Sequence, residues 1–185
     1  MRTRGPGESA LLLLDIVEVL DAQEIAYAVI GATAATLYGA MRTSMDADVV
    51  ISIAYAQAVE LESIFKSLGF ATVLNRGDFE DPIPGMLRVS DVNENRVDLL
   101  LGLRGLESQA YSRAIDVPFE GRSLRFIGCE DFIAMKLFAG GPIDILDATR
   151  AMTANRGSMN IELLRRLAAK YSGETTRLLE NLLKD

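Results

Sequence analysis

Two aspartates at the start of an apolar, β-branched run constrain this chain more than any other feature. The run reads Asp46-Ala-Asp48-Val-Val-Ile51. Side chains alternate between the two faces of a strand, so Asp46 and Asp48 are predicted to project together from one face. Carboxylates held this close repel each other unless a cation lies between them. The segment therefore predicts either a site for Mg²⁺, a hard ion that prefers oxygen ligands, or a solvated turn before a strand.

A third acid lies inside another short apolar run, Arg96-Val-Asp98-Leu-Leu-Leu101. A lone carboxylate in a buried strand costs several kcal/mol unless it is paired or binds a metal. We therefore expect Asp98 either to pair with Arg96 or another arginine, or to complete a two-metal cluster with Asp46 and Asp48. Such clusters clamp the attacking and leaving oxygens of an in-line phosphoryl or nucleotidyl transfer.

A glycine precedes these acids at a predicted junction between a strand and a helix. The strand is expected to end at Ile30, and the helix to run from Gly31 to Gly39. Glycine lets the backbone approach a ligand closely, and the N–H groups at a helix start can bind an anion such as a triphosphate. A simple tight turn is the alternative explanation of this glycine.

The composition narrows the chemistry further. The 185 residues include no histidine and a single cysteine, Cys129, and the net charge is −7. The lack of histidine excludes histidine-based acid–base chemistry and the common zinc sites. The single cysteine excludes an intrachain disulfide and fits a reducing cytoplasm, where we expect the protein. No stretch is long enough to span a membrane, so no membrane association is expected. The negative charge argues against broad nucleic-acid binding, although a local basic cleft could form from Arg42, Arg76, Arg88, Arg104 and Lys136.

Hydrophobic periodicity predicts an α+β fold, in which a mixed β-sheet is flanked by helices and followed by a C-terminal helical region. Strands are expected at about 26–30, 46–52, 69–74, 85–91, 95–101, 115–119 and 122–127. Helices are expected at about 8–24, 31–39, 55–68, 106–114, 130–139, 142–154, 160–171 and 173–184. We expect residues 1–128 to form an α/β core and residues 129–185 to form a helical region packed on it.

The order of these pieces resembles a known family. The pieces are a strand ending in Gly31-Ala32, a helix, Arg42-Thr43, Asp46-Ala-Asp48 and Asp98. They resemble the nucleotidyltransferase superfamily with the DNA polymerase β-like fold, and in particular the small bacterial nucleotidyltransferases related to AbiEii-type toxins. The segment from Phe126 to Asp147, with Lys136 on a helix before a glycine turn and an acid-rich helix start, also resembles that group. The chain departs from the family pattern at Ala32, where a serine or glycine is usual, so only a backbone N–H contact to phosphate remains there.

The resemblance implies a Mg²⁺-dependent enzyme, with Mn²⁺ as a substitute, that uses an NTP as substrate. It implies transfer of the NMP to a hydroxyl of RNA, such as tRNA, or of a protein. Asp46 and Asp48 would hold the metal that carries the triphosphate, and Asp98 would help to bind a second metal and to accept the proton of the attacking hydroxyl. Nucleotide contacts would come from Gly31, Ala32, Arg42, Thr43 and Lys136.

The AbiEii-type relatives also imply a toxin role, with a cognate antitoxin as partner. Two other functions stay open as hypotheses. One is a nucleotidyltransferase-fold module with weak catalysis that binds nucleotide or a partner protein. The other is a different phosphotransfer enzyme, such as a phosphohydrolase. From the residues alone, Lys136 fits a surface lysine on an amphipathic helix, and Arg42 fits a surface arginine. Asp144 and Asp147 are explained by the helix dipole at the start of their helix.

Overall fold

The computed structural model describes residues 1–42 and 44–184, and these form one mixed sheet flanked by helices. The strands are β1 (Tyr27–Ile30), β2 (Asp46–Ile51), β3 (Ala71–Arg76), β4 (Gly85–Ser90), β5 (Arg96–Leu100), β6 (Ile115–Phe119) and β7 (Arg122–Phe126). The helices are α1 (Ser9–Ala22), α2 (Gly31–Leu37), α3 (Tyr55–Ser67), α4 (Gln109–Ser112), α5 (Cys129–Ala139), α6 (Pro142–Ala154), α7 (Ile161–Tyr171) and α8 (Gly173–Leu182). The α+β fold class is confirmed.

The sheet contains seven strands in the order β3-β4-β5-β2-β1-β7-β6. The β2–β5 and β1–β7 pairs are parallel, and the other neighbours are antiparallel. β2 and β5 lie side by side at the centre of the sheet, so their apolar residues are buried on both faces. Val49, Val50 and Leu99 are each fully buried. The central position of these strands places their acids in the interior of the sheet instead of at its edge.

The helices cover the sheet with their apolar faces. In α1, the aliphatic side chains Leu12, Leu13 and Ile16 are buried in the same cluster as the strand residues. The cluster continues into α5, where Phe132 is buried and its ring lies 5.5 Å from that of Tyr38. The buried cluster therefore crosses position 128 without interruption, and the division of the chain at that position stays a prediction.

Two elements begin at least two residues later than the pattern predicts. β3 begins at Ala71 because Gly69, with a φ of +88°, and its bond to the Lys66 carbonyl extend the turn that follows α3. α4 is a single turn from Gln109, since Gly105 has a φ of +92° and keeps the preceding segment in a loop. No helix within residues 1–42 and 44–184 is long and apolar enough to cross a bilayer.

Candidate active site

The three predicted acids meet on one face of the central strands. In the parallel β2–β5 ladder, Asp48 lies directly opposite Asp98, and Asp46 lies opposite Arg96. Residues paired across neighbouring strands project to the same side, and so do residues two apart on one strand. Asp46, Asp48 and Asp98 are therefore neighbours. Asp98 is buried and the other two acids are half-buried.

The first residue of α2 lies against the Asp48 side chain. β1 runs antiparallel to β2 and places Ile30 opposite Asp48, so the chain turns into α2 beside that carboxylate. Gly31 has a φ of +66°, and a Cβ added there would lie 2.8 Å from Asp48 Cγ and 2.9 Å from its Cβ. An L-side chain can occupy neither that conformation nor that space without displacement. The predicted close approach of backbone at Gly31 is thus present, and it is to the carboxylate of Asp48.

The electrostatic field at Asp48 is unfavourable to its ionised form. Burial raises the pKa of Asp48, and the negative charges of Asp98 and Asp46 raise that pKa further. The positive charges of Lys136 and Arg42 act in the opposite direction. Within the described part of the chain, neither Asp46 nor Asp48 forms an ion pair. Their negative charge is therefore only partly offset, by positive charges that make no direct ion pair with them.

Asp98 is held by Arg88, an arginine on the neighbouring strand β4. Arg88 on β4 lies directly opposite Asp98 on β5. Its Nε donates to Oδ1 at 2.7 Å and its Nη2 donates to Oδ2 at 2.8 Å. The expected alternative of an arginine partner is thus present, but the partner is Arg88, while the side chain of Arg96 is exposed. A pairing through both carboxylate oxygens is among the stronger side-chain contacts.

Lys136 is a largely buried lysine, not the surface lysine that the helix pattern favours. Its side chain is only 12% exposed, and Nζ lies 2.7 Å from Asp144 Oδ1 and 3.0 Å from Asp147 Oδ2. Asp147 is buried and also accepts a hydrogen bond from Arg42 Nη1 at 3.1 Å. The two acids near the start of α6 therefore hold Lys136 and Arg42 beside Asp48, a role that the helix dipole does not explain.

Two further residues belong to the predicted nucleotide site. Ala32 is buried in the first turn of α2, where no side chain caps the helix. Its N–H is one of those that a helix start leaves without an intrahelical partner. Thr43 lies outside the described residues. The nucleotide-binding roles of Gly31, Ala32, Arg42, Thr43 and Lys136 stay predictions.

One cavity adjoins these residues, and a second cavity lies next to the first. A cavity of about 210 Å³ has Gly31, Lys136 and Asp144 on its polar side and an apolar wall that includes Ile83 and Phe132. A larger cavity of about 1020 Å³ is lined by the loop that follows β3 and by the segment that follows β5, and its rim carries Arg76, Phe79 and Arg104. Pro82 and Leu103 line both cavities, so these two spaces are neighbours.

The side chains fit one divalent cation better than two. Asp46 and Asp48 offer carboxylate oxygens on one face, and Mg²⁺ commonly uses one or two carboxylates and completes its shell with water and substrate phosphates. No three acidic or thiol side chains among residues 1–42 and 44–184 are arranged to hold a metal ion together. The assignment of Asp98 as a further ligand stays a prediction, since both of its oxygens contact Arg88.

Sequence comparison identifies no relative. No protein-family model matches the chain, and no curated protein matches it. Solved structures match along most of its length. The solution structure of the antibiotic-resistance factor ANT(2'')-Ia superposes with a TM-score of 0.56 at 15% identity, over 94% of this chain and 96% of its own. A crystal structure of ANT(2'')-Ia in complex with adenylyl-2''-tobramycin gives 0.55 at 18% identity, over 86% and 94%.

A third solved structure agrees with these two. An antigenic nucleotidyltransferase-like protein from Paracoccidioides brasiliensis superposes with a TM-score of 0.54 at 20% identity, over 91% of this chain and 85% of its own. The chain has the nucleotidyltransferase fold. The nucleotidyltransferase fold predicted from Gly31, the paired aspartates and Asp98 is thus confirmed, whereas the narrower resemblance to AbiEii-type toxins stays a prediction.

Proposed function

We propose that this protein transfers a nucleoside monophosphate from an NTP to a hydroxyl group of an acceptor, with Mg²⁺ or Mn²⁺ as the cation. The observation that carries the proposal is the register of β2 and β5, which brings Asp48 opposite Asp98 beside Gly31. Nucleotidyl transfer needs anionic side chains for a metal-bound triphosphate and a group that takes a proton. The nucleotidyltransferase fold of the solved neighbours supports the same reaction class.

Each residue has a defined part in this proposal. Asp46 and Asp48 would hold the cation, which would supply positive charge for the triphosphate. Lys136 and Arg42 place positive charge beside Asp48, where the phosphates would lie. The acceptor oxygen attacks the α-phosphorus, the bond from that phosphorus to the bridging oxygen breaks, and pyrophosphate leaves. Asp98 takes the proton of the attacking hydroxyl.

The two cavities support a division between nucleotide and acceptor. The smaller one has an apolar wall for the nucleobase and, beside it, Lys136 and Gly31 for the triphosphate. The larger one opens beside it and is the candidate acceptor site. Binding sites for small molecules are concave and of about 300–1,000 Å³, so a cavity of about 1020 Å³ is large enough to hold a small-molecule acceptor.

Three acceptor classes follow from these observations. The AbiEii-type resemblance supports a hydroxyl of RNA, such as tRNA, or of a protein, and with it a toxin role and an antitoxin partner. The larger cavity supports a small molecule, and one solved neighbour is in complex with adenylyl-2''-tobramycin. The alternative function is a binding module that holds nucleotide or a partner protein without transfer.

A transfer assay decides between these functions. The purified protein is incubated with Mg²⁺ and each α-labelled NTP, in separate arms with total RNA, lysate protein and tobramycin. We expect label to appear in one acceptor class. Asp98→Asn should lose transfer and retain nucleotide binding, because Asp98 acts mainly in the reaction step. Asp116→Asn is the matched control, since Asp116 is exposed on β6. Nucleotide binding without transfer in every arm would favour the binding module.

A further inference from the structure

The pairing of Arg88 with Asp98 departs from what a two-metal site needs. β4 and β5 are antiparallel neighbours, and their register sets Arg88 directly across from Asp98. The guanidinium donates two nearly equal hydrogen bonds, of 2.7 and 2.8 Å, one to each oxygen of the carboxylate. A planar fork of this kind matches a carboxylate in shape and is well ordered compared with a lysine contact.

The Arg88–Asp98 pair is part of the acid row formed by Asp46, Asp48 and Asp98, and not a separate surface contact. Asp98 lies between β2 and β4, with Asp48 opposite it on one side and Arg88 opposite it on the other. The side chain of Asp98 is 11% exposed and that of Arg88 is 37% exposed, so the carboxylate is the enclosed member. The positive charge of Arg88 therefore lies next to the row, on the side away from Asp48.

A second cation bound by Asp98 would lie close to this guanidinium. In two-metal sites the ions are about 3.5–4 Å apart and share carboxylate ligands. Here both oxygens of the Asp98 carboxylate already contact the positively charged guanidinium of Arg88. A divalent ion at Asp98 would have to displace the guanidinium or lie beside its positive charge. Asp46 and Asp48, in contrast, have no such partner among the described residues.

We infer that Arg88 takes the place of the second metal ion, so that the site binds one divalent cation with its nucleotide, through Asp46 and Asp48. The inference rests on the proposed function, because it concerns the cation content of that same site. It makes Arg88 a positioning residue, which keeps the Asp98 carboxylate oriented without a metal. It also predicts that removal of Arg88 opens a second cation site.

Counting bound Mn²⁺ tests this inference. Wild-type protein is dialysed against Mn²⁺ and a mixture of the α,β-methylene analogues of ATP, GTP, CTP and UTP, which do not react. Free and bound Mn²⁺ are then measured by electron paramagnetic resonance. We expect one bound Mn²⁺ per chain in the wild type. In Arg88→Met we expect two, with the line broadening of spin-coupled ions. Arg96→Met is the matched control, since Arg96 is an exposed arginine close to the same acids.

The wild-type count alone can overturn the inference, even if Arg88→Met does not fold. Two bound Mn²⁺ ions in the wild type would show that Arg88 releases Asp98 to a metal, and the proposed transfer reaction would stand. No bound Mn²⁺ in the presence of the analogues would instead contradict the proposed function itself. A folded Arg88→Met that still binds one ion would show that Arg88 does not exclude the second.

Discussion

Replacing Gly31 with alanine tests whether the backbone at the start of α2 must lie against the Asp48 carboxylate. The new Cβ would lie 2.8 Å from Asp48 Cγ, about 0.6 Å inside the 3.4 Å at which ordinary contact begins. The nearer carboxylate oxygen would be overlapped even more. Because the helix start is fixed by the β1–β2 ladder, we expect the Asp48 side chain to move.

The size of the effect has two separable parts. The left-handed conformation of Gly31, with a φ of +66°, costs an alanine about 1–2 kcal/mol. In a chain of this size that lowers Tm by roughly 2–8 °C. Displacement of Asp48 adds a loss of function, since a shift of about 1 Å in a reacting group can cost about 100-fold. We expect the affinity for Mn²⁺ with an NTP analogue to fall by at least about tenfold, or about 1.4 kcal/mol.

Gly69→Ala is the matched control for the backbone cost. Gly69 has a φ of +88°, and a Cβ added there would meet nothing within 4 Å. Gly69→Ala should lose only the backbone cost in thermal stability, and Gly31→Ala should lose at least as much, measured by calorimetric unfolding. Only Gly31→Ala should lose cation and nucleotide affinity, measured by titration calorimetry. If both variants bound the cation–nucleotide complex as tightly as the wild type, the reasoning that links Gly31 to the position of Asp48 would be refuted.

Two other perturbations test the charges around the site. Lys136→Met should weaken NTP-analogue binding by about 1.5–3 kcal/mol, whereas Lys66→Met should not, because Lys66 is an exposed lysine of α3. If Lys136→Met bound the analogue as tightly as the wild type, Lys136 would serve only its ion pairs. Glu107 accepts hydrogen bonds chiefly from Lys170 and also from Arg113, and these lower its pKa from 4.5 to about 2. A lowered acid pKa stabilises the fold above pH 4.5, and this contribution is lost as the pH falls towards 2. Glu107→Gln should therefore cost about 1 kcal/mol at pH 7 and nothing near pH 2, as measured by urea unfolding. Glu60→Gln, at an exposed position of α3, is the control.

The local pattern of the sequence is sufficient to predict how each of the three acids lies on its own strand. Alternation along β2 predicts that Asp46 and Asp48 share a face, and the apolar run around Asp98 predicts a buried strand. The pattern does not say which strands pair, because pairing depends on contacts between distant segments. The parallel β2–β5 register that brings Asp48 opposite Asp98 is visible only in the fold.

Arg88 could have been found from the sequence with one more step. The predicted strands at about 85–91 and 95–101 form a hairpin if residue 91 lies opposite residue 95. Antiparallel pairing from that point places residue 88 opposite residue 98, as the structure has it. The part played by Asp147 was harder to foresee, since it depends on how tightly α5 and α6 pack after the turn. The helix dipole by itself explains acids such as Asp144 and Asp147 near the start of α6, so the sequence gives no reason to expect ion pairs there.

The distribution of charge supports the inference that the site binds a single cation. Asp98 is neutralised by Arg88, and the acids of α6 are neutralised by Lys136 and Arg42. Of the acids in this region, Asp46 and Asp48 are left without an ion-pair partner among the described residues. Burial and like charge raise the pKa of Asp48, so its ionised form lowers the stability of the free protein at neutral pH. A divalent cation between these two carboxylates would remove that repulsion. The fold therefore concentrates its unfavourable charge at the position where the proposed reaction needs a metal-bound triphosphate.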